Sequence, residues 1–231
     1  IPFKKYCYQI VSNKNGLDVD RMDYIMRDTK MTGLNYGVEY ERIMNNSIIN
    51  KNEIYYSNKA QIPIEDFLRT RFILHNEIYN HSTVKSIEYM IKQIFELIDS
   101  KFSIKQNVTE NKWDKFCLLT DSILNTIESL LPEDNNAIII LNKIKRREIY
   151  KLIGEVIHNK AIKIKQIQDI IVDYTKISYY SEEKPKYINI KNSFKTFNDE
   201  LNQNYYIIKI FANDKNNTKA INLYNSISCN N

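Results

Sequence analysis

Apolar residues recur at helical spacing through most of this chain and alternate only near its end. In "IEDFLRTRFILHNEIYN", residues 64–80, Ile64, Phe67, Leu68, Phe72, Leu74 and Ile78 keep one helical stripe. From Thr83 onward, Val84, Ile87, Met90, Ile91, Ile94, Phe95 and Ile98 do the same. Trp113 to Leu131 is predicted as a third helix, with Phe116, Leu119, Ile123, Ile127 and Leu130 on one face and Pro132 as its stop. Ala137 to Ile157 is predicted as a fourth, carrying the basic run "NKIKRREIYK" in its middle. Ahead of these, a helix is expected to begin near Asp18 or Asp20 and to end at the Gly of "MTGL", residues 31–34. The polar stretch from Asn45, "NNSIINKNEIYYSNKAQIP", reads as a loop or a short hairpin ended by Pro63. In the tail, "KPKYINIK", "NYYIIKIF" and "TKAINLY" are β-branched and aromatic with partial alternation, and "NDKNN" looks like a turn.

The fold class that follows is mainly α: a helical part over residues 1–160, then a small α+β subdomain over 161–231. Composition supports the helical emphasis, because four Gly and four Pro in 231 residues leave few turns for a many-stranded fold. An apolar content of 43% is enough for a real core. The formal charge of +5 favours anionic ligands only weakly, since Lys, Asn, Ile and Tyr are all heavily used and share AT-rich codons. Three widely spaced cysteines (Cys7, Cys117, Cys229) form no CxxC pair, which argues against a disulfide framework and for a reducing nucleus or cytoplasm. No apolar run approaches the roughly 20 residues of a membrane-spanning helix, so no membrane partner is expected. The chain starts with Ile-Pro and without a signal peptide, as a piece of a longer protein would.

Chemistry concentrates in "NGLDVDRMDYIMRD", residues 15–28, where Asp18, Asp20, Asp23 and Asp28 crowd one short helix. Asp is a poor helix former, so either these residues cap and solvate the helix or some hold a cation or a substrate hydroxyl. Asp20, Tyr24 and Asp28 step by four and share a side. Arg71, His75 and Tyr79 also step by four on a second helix. A carboxylate–Tyr–carboxylate row facing an Arg–His–Tyr row suits a phosphorylated sugar: Arg forks onto phosphate, Asp accepts from a hydroxyl, and Tyr packs on the ring.

"YQIVSNKNGLDVDRMDYIMRDTKMTGL" closely resembles the segment of the sterile-alpha-motif and HD-domain deoxynucleoside triphosphate triphosphohydrolases that carries their last metal ligand. The resemblance continues through "FLRTRFILHNEIYNH" and "IKRREIYKLIGE", then weakly through "KPKYINIK". It implies that the chain is the C-terminal half of such an enzyme. Asp20 would complete a His–His-Asp–Asp site for a divalent or transition metal (Fe, Mn, Zn or Mg), with Mg accompanying the nucleotide. Arg21 falls where the family has a phosphate-binding Lys. Tyr24 and Asp28 match residues against the phosphates and the deoxyribose 3′-hydroxyl, Arg71 a phosphate-binding Arg, and Tyr79 the Tyr under the sugar. Asn80 replaces a Gln. Arg42, Lys59, Arg147 and Lys151 match cations of the allosteric sites, where dGTP or GTP and a dNTP join subunits into dimers or tetramers. Ser57 and Ser82 stand where cations are aligned.

The three histidines, His75, His81 and His158, all follow Asp20, and no His-Asp pair exists in the chain. The remaining metal ligands would therefore lie outside it, and the chain alone is expected to be inactive. From the residues alone, "KIKRREIYK" reads as a solvated helix face. A non-catalytic oligomerisation module that binds nucleotide or single-stranded nucleic acid is the alternative; with a single aromatic, Tyr150, the basic run lends it little stacking surface.

Overall fold

The computed structural model describes residues 4–34, 36–158, 164, 167–177, 183–188 and 205–229. Packing divides the described residues into two compact units. The first lies within Ile1–Asn80, Ile157–Ile162 and Tyr174–Ile207, the second within His81–Val156, Lys163–Asp173 and Ile208–Asn231. The boundary expected at residue 160 falls among residues 159–163, outside the described ones.

In the first unit, α1 (Lys5–Val11) leads into α2 (Val19–Met31). Asp18 begins α2 as its N-cap, its side chain accepting from the Arg21 N–H. Past its C-terminus, Gly33 takes φ +73°, the left-handed conformation that Gly supplies at least cost. After α3 (Tyr40–Asn45), β1 (Ser47–Asn50) and β2 (Glu53–Tyr56) form an antiparallel hairpin in the register Ser47↔Tyr56 and Asn50↔Glu53. Its two turn residues, Lys51 and Asn52, both have positive φ, as a tight hairpin turn requires. The hairpin expectation holds, but Pro63 does not end it. Pro63 sits in the first turn of α4 (Gln61–Ile73), where no backbone N–H partner is required. A π-helical turn, Leu74–Tyr79, continues α4. Ile25, Ile43, Ile64, Phe67, Leu68 and Leu74 form the core of this unit.

The second unit is built on α5 (Ser82–Phe102), whose Met90, Ile94 and Ile98 are buried one turn apart. Short helices follow: α6 (Ile104–Thr109), α7 (Trp113–Phe116), α8 (Ile123–Leu130) and α9 (Asn136–Lys145). Ile94, Ile98, Ile123, Ile127, Ile138 and Leu141 pack together. The single helix predicted over Trp113–Leu131 is thus two helices, separated at "CLLTDS", where the Thr120 and Ser122 hydroxyls bond each other at 2.7 Å. The helix predicted over Ala137–Ile157 stops at Lys145. Arg147 takes φ +61°, its N–H returns to the Ile144 carbonyl, and the chain re-emerges as β3 (Lys151–His158).

Two more strands, β4 (Ile170–Ile177) and β5 (Tyr205–Ala212), complete a three-stranded sheet in the order β3-β5-β4. "NYYIIKIF" is therefore a strand as expected. "TKAINLY" is not: it lies in α10 (Thr218–Ser228), capped by the Asn217 side chain, which accepts from the Ala220 N–H. The strand expected over "KPKYINIK" is described only to Ile188, with Tyr187 bridging in parallel to Tyr56; the rest lies outside the described residues. The fold is mainly α with small sheets, as the sequence predicts. Among the described residues no helix is long and apolar enough to cross a membrane.

Candidate substrate site

The site forms in the first unit, between α2 and the α4–π-turn segment. Cap geometry fixes the start of α2. Asp18 is buried, and its Oδ1 accepts from the Arg21 N–H while Oδ2 accepts from the Asn13 N–H, both at 2.9 Å. Its carboxylate also pairs with the Arg21 guanidinium. The loop before it is held by Asn15, whose side chain accepts from the Leu17 N–H at 2.9 Å. Burial pushes the neighbouring Tyr56 hydroxyl up to about 12, offset in part by its hydrogen bond with Asn15. From this fixed start, Asp20 emerges exposed in the first turn, Tyr24 lies half-buried against the core, and Asp28 is partly buried one turn further on.

The second row meets the first. The Tyr79 hydroxyl donates to Asp28 Oδ2 at 2.5 Å. Burial, followed by the Asp28 carboxylate, holds that phenol well above its usual range. The His75 and Tyr79 rings meet edge to face, centroids 5.1 Å apart at 86°. His75 is lowered to about 4, first by burial and then by the positive charges of Arg71 and Arg21, so it is neutral at pH 7. Arg71 Nε is buried without a hydrogen-bond partner among the described residues. Two guanidinium groups, a neutral imidazole and a Tyr–carboxylate pair thus occupy one neighbourhood. Cations for phosphate sit beside a carboxylate able to accept from a hydroxyl.

Asn80 lies at the edge of this group and is buried. Its Nδ2 donates to the His75 carbonyl at 2.6 Å, and its Oδ1 accepts from Thr175 Oγ1 at 3.4 Å. A cavity of about 880 Å³ opens on the opposite face of α2, lined by Val19, Met22, Met26 and Met44 and by the charged Asp23, Glu39 and Arg42. It touches neither the Asp20–Tyr24–Asp28 row nor the Arg71–His75–Tyr79 row.

No family model matches the chain. An HD domain-containing protein of Acanthamoeba polyphaga mimivirus is 37% identical over 213 residues, covering 82% of this chain and 43% of that protein. The deoxynucleoside triphosphate triphosphohydrolase SAMHD1 homolog of Dictyostelium discoideum is 33% identical over 156 residues, 67% of this chain and 30% of its own length. Human SAMHD1, also named a deoxynucleoside triphosphate triphosphohydrolase, is 30% identical over 177 residues, 71% of this chain and 28% of its own length. The chain belongs to the HD-domain dNTP triphosphohydrolase family. It spans less than half the length of these relatives.

Within this HD-family chain the metal question has a definite form. Among the described residues no three His, Cys, Asp or Glu side chains gather as a ligand set. Asp20 offers one exposed carboxylate, which does not hold an ion against water on its own. The residues present do not make a complete metal site. His81 instead caps α5, its Nδ1 accepting from the Thr83 N–H at 3.3 Å, and His158 is buried on β3.

The four cations aligned with the family's allosteric sites are all placed. Arg42 is exposed on α3 and paired with Glu39 at 3.0 Å, and Lys59 is exposed on the turn before α4. Arg147 and Lys151 are not on a common helix, because α9 ends before both. They nevertheless line one cavity of about 420 Å³ in the second unit, together with Lys143, Gln93 and Tyr150. His75 lies among these side chains, against Tyr79 and within reach of the Arg71 and Arg21 charges, although the sequence reading assigned it no site role. Its signal was the step of four from Arg71 to Tyr79, but lone helical histidines are usually packing residues.

Proposed function

We propose that the intact protein hydrolyses deoxynucleoside triphosphates to deoxynucleoside and triphosphate, and that this chain carries the sugar and phosphate side of its site. One observation carries the reading: the Tyr79–Asp28 contact beside Arg71, His75 and Arg21, in a chain of this family. Asp28 accepts from the sugar 3′-hydroxyl, and Tyr79, which holds Asp28, packs under the ring where a 2′-hydroxyl would collide. Tyr24 lies against the triphosphate, and Arg21 and Arg71 offset charge growing on the phosphates as water attacks the α-phosphorus. Asn80 holds the end of the π turn in place. A divalent metal supplies Lewis acidity to the intact enzyme, with Asp20 as one ligand and the others from outside this chain. The chain by itself is inactive for that reason. Arg42, Lys59, Arg147 and Lys151 serve a second class of nucleotide, a dGTP or GTP activator that promotes dimers or tetramers.

The test is Asp20→Ala in the intact protein. Turnover of dNTP is lost and bound metal falls. A normal rate with full metal occupancy rules the assignment out.

A further inference from the structure

Asp18 is not matched to any family role, yet it is the most engaged carboxylate in the site. Its side chain is 0% exposed, against 27% for Arg21. One carboxylate grips Arg21 at both ends, taking the backbone N–H on Oδ1 and the guanidinium Nη1 on Oδ2. The same Nη1 also donates weakly to the Asn13 carbonyl at 3.5 Å. Among the described residues the other guanidinium nitrogens make no hydrogen bond, the side chain is 27% exposed, and its charge is felt at His75. This division of labour needs a fork. A guanidinium spends one nitrogen on an internal anchor and keeps its other donors for a ligand, whereas an ammonium has one nitrogen for both tasks.

We propose that Asp18 is a positioning residue: it aims the Arg21 guanidinium at the substrate's phosphates, and through Arg21 it sets the affinity of the site for triphosphate. The inference rests on the reading of Arg21 as a phosphate-binding cation. Asp18 itself touches no substrate. An anchored fork has lost its rotamer freedom before the ligand arrives, so less ordering remains for binding to offset. The buried carboxylate remains paired throughout, which removes the penalty of an isolated buried charge.

The experiment is a double-mutant cycle in the intact protein, with dGTP as substrate, reading KM, kcat, metal content and melting temperature. Asn caps a helix as well as Asp does, so Asp18→Asn keeps the cap on the Arg21 N–H while removing the ion pair and the Oδ2 bond from the Asn13 N–H. Asp18→Asn is expected to raise KM about tenfold with kcat and metal content within about twofold of wild type. In an Arg21→Ala background the same change has almost no further effect on KM. Arg21→Lys, whose single nitrogen divides its three protons between anchor and ligand, is expected to raise KM less than Arg21→Ala does. If Asp18→Asn does not fold, Asp18→Ser, whose hydroxyl still caps, carries the same expectations. Independent, multiplying effects of Asp18→Asn and Arg21→Ala overturn the inference while leaving the phosphate reading standing. So does a loss confined to kcat or metal content, which would make Asp18 a support for Asp20 instead. An unchanged KM in Arg21→Ala overturns the phosphate reading itself, and this inference with it.

Discussion

Tyr79 and Asp28 are 51 residues apart in sequence and joined by a 2.5 Å hydrogen bond from the phenol to the carboxylate. The bond ties α2 to the end of the π turn, and π-helical turns inside α-helices are frequent at functional sites. Widening the last turn after Ile73 leaves the Tyr79 and His75 rings edge to face, with the hydroxyl aimed at α2.

On the proposed reading, the ring and the hydroxyl of Tyr79 have separable roles. Tyr79→Ala in the intact protein removes the surface under the sugar and is expected to cost about 1–3 kcal/mol of dNTP turnover. It also narrows discrimination against the matched ribonucleotide. Tyr79→Phe keeps the ring, and therefore the discrimination, but frees Asp28 at about 0.5–1.5 kcal/mol. Competition between a dNTP and its NTP measures both. Equal discrimination in wild type and Tyr79→Ala would sink the steric role.

His75 makes stability depend on pH. The unfolded chain binds a proton at this residue below about 6.5, which the folded protein refuses until about 4. Stability is therefore fully present above pH 6.5 and falls as pH is lowered through that window, by about 1–3 kcal/mol in total. His75→Gln, which has no proton to gain, is expected to flatten the dependence between pH 6.5 and 4. Urea titrations at several pH values read the slope. Parallel slopes for variant and wild type would show that His75 is protonated in the fold.

Much of the site was legible because its signals are local. The step of four through Asp20, Tyr24 and Asp28 needs only the 3.6-residue period; the helix start, expected near Asp18 or Asp20, is settled by the cap on Asp18, with Asp20 inside the first turn. The stop of α9 was not legible. No Gly marks it; the reversal falls on Arg147, a residue that seldom takes positive φ, and Leu152, Ile153 and Val156 suit a helix stripe as well as a strand. In α10 the β-branched look of "TKAINLY" outweighed a single cap, Asn217, hidden inside a run read as a turn. The π turn was not legible either, since one turn of i→i+5 bonding leaves the apolar stripe of α4 almost unchanged.

Gly154 on β3 faces the Tyr224 ring of α10 so closely that an added Cβ would enter the ring. Gly154→Ala must therefore push the ring or the strand aside, and is expected to destabilise by about 1–3 kcal/mol. Tyr224→Ala should largely absorb the added methyl, so the double variant should lose less than the sum of the two single ones. Thermal melts of the four proteins decide this. Additive losses would mean that the two residues do not share the space.

Arg147 and Lys151 are brought together by the turn between α9 and β3, around a cavity large enough for a nucleotide's phosphates. Each charge-assisted contact to phosphate contributes roughly 1.5–3 kcal/mol. Arg147→Ala/Lys151→Ala is therefore expected to weaken nucleotide-linked assembly by two to four decades, at about 1.4 kcal/mol per decade. The remaining cation of the cavity, Lys143, separates two explanations. If the cavity binds phosphate as a whole, Lys143→Ala alone should weaken assembly about tenfold; if only the aligned pair acts, it should leave assembly unchanged. Sedimentation of the intact wild type and these variants, with and without dGTP, reads the outcome. A wild type whose oligomeric state ignores dGTP would rule out nucleotide-linked assembly, in keeping with Ser57 and Ser82 standing where cations are aligned. If the wild type responds and the double variant assembles equally well, Arg147 and Lys151 only face solvent.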